Sequence, residues 1–174
     1  MEAIYAISFA SIPTLIFHVV KVIRKKRKEA TISALKAKVW KVFSLYVRSK
    51  DRDFQDCITC FTCDRRDHFR TFDAGHFIPK STGGAALYFY ERNVHPQCTG
   101  CNRFRHGNLS VYALRLQQRY GPTILEELHA LRGQQWNKKE LERLLAHYTL
   151  KLKNLDAPHY QRSQPVIESA SQHA

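Results

Sequence analysis

From residue 31 the apolar positions fall into a helical rhythm: Ile32, Leu35, Val39, Val42, Phe43, Tyr46 and Val47 recur at spacings that put most of them on one stripe. That stripe reads as core, not as a binding face. The rhythm stops before Cys57. Between residues 57 and 101 no helical period survives, and β-like runs at His68 to Ile78 and Ala86 to Tyr90 flank a Gly83-Gly84 turn. Helical patterns resume at about 109 to 119 and 123 to 132, separated by a Gly121-Pro122 break, and again from 138. Asn137 followed by Glu140 resembles a capping box, after which Leu141, Leu144, Leu145 and Tyr148 form a second stripe. The pattern predicts an α+β chain whose small irregular centre is flanked by N- and C-terminal helices. No internal repeat is present.

Three segments follow: 1–28, 29–155 and 156–174. The last is polar and aperiodic, and reads as disordered. In the first, residues 3–20 are largely apolar and Lys21, Arg24, Lys25, Lys26, Arg27 and Lys28 follow at once. A secretory signal would put charge before the apolar stretch and a small-residue cleavage site after it, and neither is evident. Three readings stay open. Residues 3–20 could contact a membrane, with the following charges keeping the rest of the chain cytoplasmic. They could be a helix packed on the domain, or upstream sequence included by a wrong start. The run is only marginally long enough to span a bilayer and contains Pro13 and His18.

Charge narrows the partner. With 28 Lys and Arg against 15 Asp and Glu the chain carries a formal +13, so its partner is expected to be anionic, nucleic acid first and an anionic membrane second. Five cysteines in two tight clusters argue for metal knuckles in a reducing compartment and against a secreted disulfide framework. Cys60 and Cys63 form one C-x2-C knuckle and Cys98 and Cys101 another, with 34 residues between them. Four thiolates so spaced can close a tetrahedral zinc site. Cys57 and Cys60 form an equally regular knuckle, and only one pair can serve at a time. Nearness to the following motif favours Cys60 and Cys63.

Between the knuckles stand DAGHFIP at 73 to 79 and ERNVHPQC at 91 to 98, running into CTGCN with Asn102. The order His, Asn, Cys-x2-Cys-Asn is that of an HNH site, a small ββα-metal core. Phosphodiester hydrolysis needs a base to activate water and a divalent ion to neutralise the leaving oxygen. His76, closing a strand, suits the base because a free imidazole titrates near neutral pH. Asn93 is expected to hydrogen-bond across the loop and fix the orientation of that imidazole. For His95 two readings remain, an active-site group or a loop packing residue. Asn102 and His106, four residues apart, are expected to share a face of the helix that opens after Cys101. Arg65, Arg66, Arg70, Lys80, Arg92, Arg103 and Arg105 flank the motif and suit phosphate contacts without base reading.

DAGH at 73 to 76, the ERNxHxQCxxCN run at 91 to 102 and GN at 107 to 108 together resemble the NinG/Rap family of lambdoid phage recombination endonucleases, a likeness extending from residue 51 to about Leu155. The resemblance implies a structure-selective endonuclease acting on D-loops and Holliday junctions in the bacterial host cytoplasm. It points to Asp73, His76, Asn93, His95, Asn102 and Asn108, with the four knuckle cysteines as zinc scaffold and Asn108 among the DNA contacts. Asp73 becomes a candidate ligand for a magnesium or manganese ion, joined by Asn102 or His106. HNH sites generally carry the acidic ligand directly before the histidine, and here Gly75 stands there. Junction resolution would imply a homodimer. A non-catalytic zinc module binding DNA or a recombination partner explains the charge and cysteines equally well, but not the nuclease order of His76 and Asn93. A membrane-tethered interaction protein rests on residues 3–20 alone.

Overall fold

The computed structural model describes residues 30–131 and 135–156. The chain divides into two compact units, residues 1–31 and 32–174, and the architecture is that of the second. The readings placed on residues 1–28 and on the tail after Asp156 lie outside the described residues. Among the described residues no helix is long and apolar enough to cross a membrane.

In chain order the elements are α1 (Ile32–Ser49), β1 (Cys57–Thr59), β2 (Arg66–His68), β3 (Asp73–His76), α2 (Lys80–Tyr88), β4 (Val94–Gln97), α3 (Leu109–Tyr120), α4 (Ile124–Ala130) and α5 (Lys138–Leu155). Single 3₁₀ turns at Phe69–Thr71 and Glu91–Asn93 and a π-helical turn at Gly100–Phe104 join them. The strands make two separate antiparallel pairs, β1 with β2 and β3 with β4. In the second pair Asp73 lies opposite Gln97, Gly75 opposite His95 and His76 opposite Val94.

Helix α1 forms as its apolar rhythm predicts. Leu35, Val39, Phe43 and Val47, one turn apart, are all buried, and they pack on Phe89, Val94, Leu141 and Tyr148. Phe43 meets the rings of Phe89 and Tyr148 edge-on, with centroids 5.7 and 4.8 Å away, the orientation that ring quadrupoles favour. Leu141 and Tyr148 belong to α5, so the two ends of the described domain close on each other. The expected capping box is present: the Asn137 side chain accepts from the Glu140 amide, and the Glu140 carboxylate accepts from the Asn137 amide. A second cluster gathers Ile58, Phe69 and Phe72 around the buried cysteines. A third joins Ile78 and Leu87 to Tyr112, Leu116, Ile124 and Leu128 of α3 and α4.

Three local expectations fail. The run from His68 to Ile78 is not one strand, because the His68 ring accepts from the Arg70 amide at 3.2 Å and its carbonyl from the Thr71 hydroxyl at 2.9 Å, turning the chain through a 3₁₀ loop. Ala86 to Tyr90 is not a strand either: α2 runs to Tyr88, with a break at Gly84 where φ is 67°. Burial there alternates residue by residue, with Ala85, Leu87 and Phe89 inside, and that period mimics a strand. Finally, no long helix opens after Cys101. The Cys98–Cys101 knuckle is followed by the π-helical turn, and α3 begins only at Leu109.

Candidate functional site

The four sulfur atoms of Cys60, Cys63, Cys98 and Cys101 lie within 4.8 Å of one another, and Cys63 Sγ is 3.8 Å from Cys98 Sγ. Sulfurs at the corners of a zinc tetrahedron with bonds of about 2.3 Å would stand about 3.8 Å apart. The cluster could therefore hold a metal such as zinc. Cys57 is excluded from it, its thiol turned to the Gln55 carbonyl at 3.5 Å. Although burial pushes the Cys60 thiol up, hydrogen bonds from the Cys98 and Thr62 amides outweigh it and bring it to about 7. Such a thiolate is ready to accept an ion. Among the described residues these cysteines are the one group of three or more Cys, His, Asp or Glu side chains placed to share a metal.

Beside the cluster opens a cleft of about 570 Å³, lined among others by Trp40, Ser44 and Arg48 of α1, Asp73, Ala74 and His76 of β3, Lys80, Asn102 and His106. His76 is half-buried, and its ring stacks on Trp40 with centroids 5.2 Å apart and planes at 18°. Its Nε2 lies 3.0 Å from the Tyr88 carbonyl oxygen. A carbonyl only accepts, so Nε2 carries the proton and Nδ1 keeps its lone pair. Burial, with nearby Lys80 adding to it, pushes the imidazole down to about 4, so it is neutral at physiological pH.

Asp73 is the acidic side chain of this cleft, and it is already engaged. Its oxygens accept from Arg103 Nε and Nη at 3.1 and 3.2 Å and from Asn102 Nδ2 at 3.0 Å. Arg48, half-buried, donates to the Ser44 carbonyl at 3.0 Å and the Phe72 carbonyl at 3.2 Å, which fixes its cation in the wall. Lys80 sits 4.5 Å above the Trp40 ring. Arg48 and Lys80 in the lining, against one carboxylate that is itself paired with Arg103, leave the cleft electropositive, suited to phosphate.

Several predicted site residues stand elsewhere or act differently. His95 is fully buried, stacked on Phe61 at 3.9 Å, with Nδ1 3.0 Å from the Tyr112 hydroxyl and Nε2 2.9 Å from that of Tyr120. Tyr112 in turn donates to the Gly75 carbonyl at 3.0 Å. The packing reading of His95 fits this placement. Burial first, then Lys50 and Arg119, push it down to about 3. Asn93 is buried, and its side-chain hydrogen bonds do not go to His76: its Oδ1 accepts from the Ile78 amide, and its Nδ2 donates to the Ile78 and Leu87 carbonyls. It braces the loops on either side, and the Tyr88 carbonyl orients the imidazole instead. Asn102 and His106 do line one cleft, but through a turn. His106 has φ 49° and lies past the π-helical segment, so the two do not share a helix face.

The flanking cations divide in the same way. Arg65 pairs with Asp67, Arg66 with Asp53, Arg92 with Glu127 and Arg103 with Asp73, whereas Lys80 faces the cleft. Arg70 and Arg105 are exposed, and Arg70 lies 5.5 Å from the Phe69 ring. Asn108 has a left-handed backbone at the start of α3 and ties its side chain to the Thr62 carbonyl at 2.9 Å, a scaffolding bond.

Sequence reading missed Trp40, Ser44, Arg48 and Tyr88. Trp40 and Arg48 carry a signal, a large aromatic and a cation on the margin of the apolar stripe of α1. Tyr88 acts through its backbone and leaves none. Gln97 was also missed. It is fully buried and donates to the Thr62 hydroxyl at 2.9 Å and the Gly107 carbonyl at 2.7 Å. Its Oε1 covers Gly75, where an added Cβ would come within 2.0 Å of it. This explains why glycine stands directly before His76.

Fold and site thus define a small α+β domain whose short strands are stapled by a four-cysteine cluster able to hold a metal, with a cationic cleft beside it. The chain belongs to the NinG family: residues 19–158 match the family described as bacteriophage lambda NinG protein. It is 36% identical over 112 residues to the protein ninG of Salmonella phage P22 and to that of Escherichia phage lambda, covering 63% of this chain and 52% of each relative. The protein ninG of Escherichia phage 933W is equally similar, 36% over 112 residues. The chain therefore spans about half the length of the curated relatives it matches. No solved structure matches it.

Proposed function

We propose that this protein is an HNH-type endonuclease that cleaves branched recombination intermediates, D-loops and Holliday junctions, in the cytoplasm of the bacterial host. The observation that carries the reading is His76, a neutral imidazole held by the Tyr88 carbonyl at 3.0 Å in a cleft walled by Arg48 and Lys80. Its unprotonated nitrogen is the base that takes a proton from water, while the cations hold the phosphate. In this reading β3, β4 and the turn after Cys98 are the ββα-metal unit, and the cysteine cluster fixes the turn against the hairpin.

A magnesium or manganese ion would neutralise the leaving oxygen. The donors that suit it are the Asp73 carboxylate and Asn102 Oδ1, hard oxygens of the kind such ions take when water and substrate phosphate complete the shell. Arg103 now occupies Asp73 and has to release it. That ion pair favours a second reading, a zinc-stapled module that binds branched DNA without cutting it. The test is cleavage of labelled Holliday junction, D-loop and linear duplex with magnesium or manganese, comparing wild type with His76→Ala. Cutting of the branched forms, lost in the variant while binding persists, supports the nuclease. Binding by both proteins with cutting by neither supports the module. Paired cuts across a junction would further require two copies, and sedimentation on junction DNA tests for the dimer.

A further inference from the structure

Phe104 is 79% exposed yet sits in a turn pinned by several backbone hydrogen bonds. The Asn102 amide donates to the Cys98 carbonyl at 2.9 Å, the Arg105 amide to Gly100 at 3.0 Å and the Gly107 amide to Cys101 at 2.9 Å, so the turn is anchored to the cysteine cluster on both sides. Among the described residues the Phe104 ring makes no aromatic or cation–π contact, unlike Phe43, Phe61, Phe69, Phe77 and Phe89. Asn102 and His106, two residues before and two after, both line the cleft with His76, so Phe104 belongs to the turn that borders the cleft. Arg103, which is paired with Asp73, and Arg105 flank it and are exposed. Phe54, 86% exposed, offers a contrast: Asp51, Asp53 and Asp56 surround it in sequence, a poor setting for a polyanion.

We propose that Phe104 is a stacking platform for an unstacked nucleobase at the branch point of the DNA, with the Arg105 guanidinium on an adjacent phosphate. The inference rests on the reading of the cleft as a DNA site, not on whether that site cuts. Every base offers a flat π-face, so an exposed, rigidly mounted ring binds unpaired bases with little sequence preference. In a linear duplex those faces are already stacked, and reaching them costs unstacking energy. A junction, flap or bubble presents them free. The ring would thus add affinity selectively for branched forms, a discrimination that phosphate contacts alone do not supply.

The test is equilibrium binding, without added magnesium or manganese, to a four-way junction carrying 2-aminopurine at the branch and to a linear duplex of the same sequence. Wild type is expected to change the 2-aminopurine emission on the junction. Phe104→Ala should lose that signal and about tenfold of junction affinity while binding the duplex as wild type does. Phe104→Trp should keep both, with its indole emission quenched on the junction. Unchanged junction affinity and signal in Phe104→Ala overturns the proposal, as does an equal loss on junction and duplex. Cutting is scored separately. Junction stacking by a protein that never cleaves leaves this inference standing and removes the nuclease. Cleavage with intact junction preference in Phe104→Ala does the reverse.

Discussion

The Nε2 of His76 meets the Tyr88 carbonyl at 3.0 Å, and that single bond decides which ring nitrogen is free. Because burial holds the imidazole down to about 4, the base form persists well below neutrality. Cleavage by this protein should therefore keep its His76-dependent rate as pH falls from 7 and lose it on an acid limb near 4. Single-turnover rates against pH check this. A limb centred near 6.5, the ordinary histidine value, would mean that burial does not hold the imidazole down, and an acid limb that persists in His76→Ala would remove His76 from the role of base.

The same shifts make stability pH-dependent. His76 and His95 have folded values of about 4 and about 3, both below the unfolded value near 6.5. A lowered histidine binds fewer protons folded than unfolded, so its neutral burial is favourable above pH 6.5 and costs stability as pH falls through 6.5 toward the folded values. Thermal melts from pH 7 to 5 should show a progressive drop in Tm, shallower in a His95→Gln variant than in wild type. Parallel slopes would mean that His95 is not buried neutral.

The cysteine assignment can be settled by counting ions. Cys57→Ser should retain one bound metal per chain and melt as wild type, whereas Cys60→Ser, Cys63→Ser and Cys98→Ser should each lose it. Without the metal, the turn at Gly100–Phe104 and the β1–β2 pair lose the staple between them, and a strong chelator should produce the same cooperative loss of structure. Metal content by mass spectrometry under native conditions reads this out. Retention in Cys63→Ser with loss in Cys57→Ser would move the site by one knuckle.

Gly75→Ala would drive a methyl group to 2.0 Å from Gln97 Oε1 and 3.0 Å from Asn102 Oδ1. Gln97 cannot swing away without giving up its bonds to Thr62 and Gly107. The expected cost is about 1–3 kcal/mol, the range for overpacking a tight interior, measured by denaturant unfolding. Pairing Gly75→Ala with Gln97→Ala should cost less than the two single changes added together. Strict additivity would show that the contact is not the cause.

Arg103 and Asp73 form the contact that an incoming ion would have to open. Arg103→Ala should lower the manganese concentration needed for half-maximal cleavage, since the carboxylate is freed. It should also weaken DNA binding and reduce the salt slope by about 1 if the same guanidinium turns to a phosphate. Asp73→Asn should abolish the metal response while leaving DNA binding in place. A manganese requirement unchanged in both variants would exclude Asp73 as a ligand.

The sequence alone determined the elements whose code is local. The stripe from Leu35 to Val47, the Asn137 capping box and the paired knuckles each depend on side chains a few residues apart, so spacing revealed them. The same local logic placed His76 at the end of a strand and Asp73 near it. What lay beyond it was decided by contacts between segments distant in the chain. For His95 an active-site and a packing reading both stay open until Phe61, Tyr112 and Tyr120 close around it. Asn93 reads like a partner of His76, but the nearest acceptor of that imidazole is a backbone carbonyl of α2, which no side-chain pattern encodes. Arg103 reads like a free phosphate contact until β3 brings Asp73 against it. Helices and knuckles are short-range chemistry and can be read in order along the chain. Burial, tautomer and ion pairing are set by whichever groups the fold brings together, and only the tertiary structure names them.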